Sequence, residues 1–116
     1  MNYEVKYIEE QGKIEDMVFI FDGNFSILSE FLDDVESFSK EYLEIFDRLL
    51  SGEVEKYSAN GNCCSFEADK DKTIVEFLYP ENENERKICT VNTHELRLLM
   101  DEWLKKKAEF FKSKKK

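Results

Sequence analysis

Phe25-Ser26-Ile27-Leu28-Ser29-Glu30-Phe31-Leu32-Asp33-Asp34-Val35-Glu36-Ser37-Phe38-Ser39-Lys40-Glu41-Tyr42-Leu43-Glu44-Ile45-Phe46-Asp47-Arg48-Leu49-Leu50 is the stretch on which the fold turns. Its apolar residues recur at steps of three and four (Phe25, Leu28, Phe31, Leu32, Val35, Phe38, Tyr42, Ile45, Phe46, Leu49), the spacing of one helix face. Carboxylates fill the gaps, relieved only by Lys40 and Arg48. The pattern predicts one amphipathic helix, or two short ones broken near Ser37-Phe38-Ser39. Asn24 or Ser26 can cap its start, and Gly52 stands where a C-terminal glycine belongs.

On both sides of this segment the period drops to two. Tyr3, Val5 and Tyr7 alternate with polar residues and predict a half-buried strand. Gln11-Gly12-Lys13 predicts a turn in which Gly12 takes positive φ. Met17 to Phe21, short and rich in branched and aromatic residues, predicts a buried strand. Downstream, Val54 to Ser58 predicts a weak strand. Asn60-Gly61 predicts a hairpin turn, and Cys64, Phe66 and Ala68 alternate after it. Thr73 to Tyr79 predicts a strand ended by Pro80, and Arg86 to Val91 another. Asn92 and Glu95 stand three apart, as in a capping box, ahead of the stripe Leu96, Leu99, Met100, Trp103, Leu104.

Short connections between neighbouring strands imply antiparallel pairing. The expected fold is therefore α+β: an antiparallel sheet of about five strands with two helices on one face, in the order ββαβββα. With 116 residues the chain fits one domain. Residues 1–111 are expected to form it, with 112–116 a frayed lysine-rich tail.

Charge narrows the function more than any motif does. The chain carries a net −9, and the lysines are segregated. Residues 105–116 hold seven Lys and one Glu, so residues 1–104 hold ten basic against 25 acidic side chains, a net of −15. Such a body repels nucleic acid and attracts basic proteins. The longest apolar run, Met17 to Phe21, is too short to span a bilayer, and the first residues lack the order of a secretory signal. A cytoplasmic protein with no membrane contact is the expectation. Three cysteines, two of them adjacent, make a poor disulfide framework and predict reduced, partly buried thiols.

Catalytic chemistry finds little to stand on. His94 is the only histidine, placed as a surface residue at a helix start. Cys64 and Cys89 lie in acidic, strand-like surroundings that raise thiol pKa values. Glycines at 12, 23, 52 and 61 form no phosphate loop, and Glu81 to Glu85 lacks the glycine and terminal glutamate of a calcium loop. The chain reads as a binding protein without enzyme activity, cofactor or metal. Its candidate partner-binding residues are the acidic helix face, Asp33, Asp34, Glu36, Glu41 and Glu44, and the acidic loop, Glu81, Glu83 and Glu85. Clustered carboxylates of this kind can occupy a basic groove in a partner.

The stretch from Asn62-Cys63-Cys64-Ser65-Phe66-Glu67, through Ile74-Val75-Glu76-Phe77, to Cys89-Thr90-Val91-Asn92-Thr93-His94-Glu95-Leu96 and Trp103 resembles small bacterial immunity proteins. These proteins guard cells against polymorphic toxins, including those of contact-dependent growth inhibition systems. The resemblance covers about residues 54–110, and its elements are strand, strand and helix with a Val-x-Thr-x-Glu-Leu join. It implies a cytoplasmic protein that binds one cognate toxin domain and blocks its active site or an exosite. It transfers no binding residue. Many such toxins are basic nucleases, which suits the acidic body. The alternative is another acidic protein-binding or nucleic-acid-mimic module, of phage or regulatory origin.

Overall fold

The computed structural model describes residues 2–82 and 84–114. Two strands come first, β1 (Glu4–Glu10) and β2 (Lys13–Ile20), followed by a 3-10 turn over Gly23–Ile27. Helices α1 (Leu28–Ser37) and α2 (Ser39–Ser51) come next, then β3 (Lys56–Asn60), β4 (Cys64–Asp69), β5 (Lys72–Phe77) and β6 (Ile88–Asn92). Helix α3 (Thr93–Lys114) closes the chain.

The class is α+β and all pairing is antiparallel, but the strands do not form one sheet of about five. They form a two-stranded hairpin, β1-β2, and a separate four-stranded meander, β3-β4-β5-β6. The physical reason lies at the outer edge of β2. The Ser29 hydroxyl donates to the Phe19 carbonyl, and the Lys107 ammonium donates to the Met17 carbonyl at 3.0 Å. Side chains thus take the main-chain acceptors that a further strand would need. The hairpin instead packs on α1 and α3 through Met17, Phe19 and Phe21, all buried. Phe19 meets the edge of Trp103 at 4.9 Å between centroids.

The central segment is two helices, not one. The break is Phe38, at φ −123° and ψ 39°, and α2 ends on Gly52 in the left-handed region at φ 84°. Neither Asn24 nor Ser26 caps α1: the chain enters through the 3-10 turn, and no side chain caps that end. At α3 the Asn92 carboxamide oxygen accepts the Glu95 amide at 2.9 Å, as the spacing predicted.

The four-stranded sheet turns Cys64, Phe66, Ala68, Thr73, Val75, Cys89 and Val91 inward, where α1, α2 and α3 contact it. The weak strand expected at Val54 to Ser58 is real but sits two residues later. Gln11 and Gly12 both have positive φ, at 53° and 79°, the geometry of the tightest hairpin turn. The first residues of the lysine-rich tail are helical. α3 continues through Lys112, Ser113 and Lys114, and the Lys114 ammonium holds Glu15 by its carbonyl at 3.0 Å and its carboxylate at 2.9 Å. Residues 115–116 lie outside the described residues. No helix among the described residues is long and apolar enough to cross a membrane.

Candidate functional site

The acidic residues singled out from the sequence separate into three groups. Asp34 is not a surface residue. It is 1% exposed, and its carboxylate points into the β3-β4 turn. There Oδ1 accepts the amides of Asn62 at 2.9 Å and Cys63 at 3.0 Å. Oδ2 accepts Cys63 at 3.1 Å and Cys64 at 2.9 Å. Three amides of a tight turn all point one way, and a carboxylate one turn of α1 from the core satisfies them. Asp34 leaves the list of partner-binding residues because a charge so placed is consumed within the fold. Its place on the apolar stripe, three after Phe31 and four before Phe38, was the available sign.

The same turn explains Gly61. Its φ is not positive, so the Asn-Gly pair does not serve the backbone shape expected of it. A Cβ at this position would lie 2.4 Å from Asp34 Oδ2 and 2.6 Å from the Tyr42 hydroxyl oxygen. Glycine is required by close approach.

The second group is drawn into local pairs. Glu44 is bound to Arg48 at 2.7 Å, and Arg48 also reaches Glu53 at 3.8 Å. Asp47 and Asp101 hold Arg97 between them at 2.9 and 2.6 Å. Glu41 is exposed, with no cation within salt-bridge reach among the described residues. In the 81–85 loop, Glu81 and Glu85 are exposed. The Glu85 amide closes a turn onto the Asn82 carbonyl at 2.9 Å, and Glu83 lies outside the described residues. Glu85 lines a recess of about 300 Å³ beside Arg86 and Lys87, so two cations flank that end of the loop.

The third group is the candidate site. Asp33, exposed on α1, has Glu30 and Glu36 as neighbours on its own helix, Asp16 on β2, and the Lys107 ammonium from α3. Partial burial pushes the Asp33 carboxyl above its ordinary range. Lys107 opposes that rise, and Glu36, Glu30 and Asp16 add to it. Lys107 has a side chain only 7% exposed. It touches Asp16 Oδ1 at 2.5 Å and Glu36 Oε1 at 3.8 Å, and it lies 4.8 Å from the Trp103 ring centroid and 5.4 Å from that of Phe111. Asp16 titrates below its ordinary range. Burial works against that shift, and the Lys107 ammonium and the Met17 amide at 2.8 Å outweigh it.

Asp16 and Glu36 therefore hold the buried Lys107 from two elements, with Asp33 and Glu30 beside them on α1 and the Lys114 cation also acting on Asp16, so carboxylates outnumber cations on this ridge. Sequence reasoning placed Asp33 and Glu36 here, left Glu30 off the candidate residues, and missed the pair formed by Asp16 and Lys107. Ninety-one residues separate that pair, and nothing local marks the contact.

The remaining chemistry is quiet. His94 is exposed. Cys63, Cys64 and Cys89 are free thiols. Burial raises the Cys89 thiol to about 11. Burial first, and then the Asp34 charge, raise Cys64 and Cys63. Thiols held protonated are poor nucleophiles. Among the described residues no three His, Cys, Asp or Glu side chains are grouped to hold a metal ion. Comparison with family models, curated proteins and solved structures finds no match to this chain.

Proposed function

We propose that this chain is a binding module rather than an enzyme, and that it captures a basic protein on the ridge formed by Asp16, Glu30, Asp33 and Glu36. The observation that supports this reading most is the electrostatic state of Asp33. Its carboxyl is exposed on α1 and stands among three neighbouring acids, Glu36, Glu30 and Asp16, with the Lys107 cation to offset them. An arginine or lysine from a partner, placed against Asp33, relieves that repulsion on binding. The free protein thus holds a surface whose charge is better satisfied in a complex.

The biological role that fits such a surface is immunity: neutralising a cognate toxin domain with a basic active-site groove, such as a nuclease, within the cytoplasm. The support is the resemblance of residues 54–110 to small bacterial immunity proteins and the net of −15 over residues 1–104. Glu41, Glu81 and Glu85 extend the acidic surface without joining the ridge.

The test is capture. Tagged protein, exposed to lysate of its native host at low salt, is washed with rising salt, and the eluted proteins are identified. A single basic toxin domain released by salt supports the reading. Capture of acidic or neutral proteins that resist salt counts against it, because a charge-driven contact weakens once the Debye length shrinks below about 8 Å.

A further inference from the structure

Beyond the acidic ridge, the molecule carries a second surface, which begins on the same hairpin at Met17, next to Asp16. The β1-β2 hairpin and the end of α3 hold six of the exposed large hydrophobic side chains: Val5, Tyr7, Ile8, Ile14, Ile20 and Phe111. Among the described residues β1 pairs only with β2, so its other edge is open. The outer edge of β2 is closed by Ser29 and Lys107. Phe19 and Met17, whose carbonyls turn outward there, stand opposite Val5 and Tyr7. In an antiparallel pair, residues so placed leave the main-chain groups of both strands pointing out of the ladder. Val5 and Tyr7 therefore offer N–H and C=O groups along the free edge. A groove of about 560 Å³ runs beside them, with Val5, Tyr7, Ile14, Met17 and Phe110 in its lining and Lys106, Glu109 and Lys114 adding charge along α3.

We propose that a second copy of this chain occupies that edge, with β1 pairing antiparallel to β1 across a twofold axis at Val5. Three features favour this occupant. First, the register is self-complementary in charge. With Val5 opposite Val5, Glu4 faces Lys6 of the second copy and Lys6 faces Glu4, while Tyr3 faces Tyr7. Centring the pair on Lys6 would set lysine against lysine. Centring it on Tyr7 sets Glu4 against Glu10. Second, the axis at Val5 pairs residues whose main-chain groups face outward, as a ladder requires. Third, the helices fit. α3 lies along the hairpin, with Lys106 bonded to Tyr3 at 3.0 Å and Phe110 beside Tyr7 at 6.1 Å. In the joined four-stranded sheet the two α3 helices lie on the same face and run antiparallel, each against β2 of its own hairpin, so that neither blocks the pairing of β1 with β1 and the two grooves face each other across the axis.

Sedimentation equilibrium of the full chain tests this. The expected mass is twice 13.8 kDa, concentration-dependent in the micromolar range. Glu4 and Lys6 are exposed and stand opposite Ile20 and Val18 in their own hairpin, so reversing their charge leaves the monomer intact, as far-UV circular dichroism will verify. Glu4→Lys alone and Lys6→Glu alone each put two like-charge pairs across the axis and weaken association by about tenfold or more. The double swap, Glu4→Lys with Lys6→Glu, restores it. A monomer at every concentration overturns the proposal. So does a dimer that ignores both single swaps, or one that the double swap fails to rescue.

Discussion

Replacing Gly61 with alanine adds one methyl group, and the structure says where it goes. Its Cβ would stand 2.4 Å from Asp34 Oδ2 and 2.6 Å from both Asp34 Cγ and the Tyr42 hydroxyl oxygen. To reach ordinary contact, at 3.4 Å or more, a carboxylate oxygen now 2.4 Å away must retreat by about 1 Å, which stretches hydrogen bonds now at 2.9–3.1 Å past useful length. Hydrogen bonds to a charged group contribute about 1.5–3 kcal/mol each. Partial loss of three, eased by local relaxation, gives a destabilisation of about 3 kcal/mol, within the range set by overpacking and broken polar contacts. Trp103, the single tryptophan and 1% exposed, reports unfolding by fluorescence. In urea the midpoint should fall by about 2 M with an unchanged slope. In an Asp34→Ala background, stabilised with sucrose so that it remains folded, the same methyl costs less than about 1 kcal/mol, because the carboxylate it displaced is gone. A Gly61→Ala protein within about 0.5 kcal/mol of the parent, or an equal cost in both backgrounds, would refute the reasoning.

Lys107→Met keeps the buried stem but strands the Met17 carbonyl and the Asp16 carboxylate. A loss of about 2 kcal/mol by urea unfolding is expected, less than for a fully buried pair because Asp16 is 43% exposed. The same pair sets a pH dependence. The Asp16 carboxyl is lowered in the fold, so its contribution is complete above the unfolded value of about 4 and is lost as the pH falls through the folded one. The gap between the stability curves of parent and Lys107→Met should therefore narrow in that acid window, leaving the part due to the Met17 carbonyl. Thiol titration at neutral pH should find Cys64 and Cys89 unreactive in the native protein, both being buried with raised thiols, and only Cys63 slowly labelled. All three should react in denaturant.

Periodicity made most of the elements legible. The switch from two to three-and-four residue steps at Phe25 located the helices, and the break at Phe38 was visible as the polar pair Ser37 and Ser39 around it. The strands of the meander were legible because each shows a clean inward set, Cys64, Phe66 and Ala68 being the plainest. The division into two sheets was not legible, because it rests on Ser29 and Lys107 capping β2 from ten and ninety residues away. Of the candidate site, Asp33 and Glu36 were legible as charges on an outer helix face. Asp34, beside them, was misplaced because a carboxylate that binds a distant turn looks the same in sequence as one that faces water. Asp16 joined the ridge only through the fold.

The most direct measurement of the central claim compares the parent with the variant Glu30→Gln/Asp33→Asn/Glu36→Gln in salt-graded capture from native-host lysate. The account predicts that the parent retains a basic protein which salt releases, and that the variant, folded by circular dichroism, loses it. A partner held equally by both proteins, or one indifferent to salt, would contradict it.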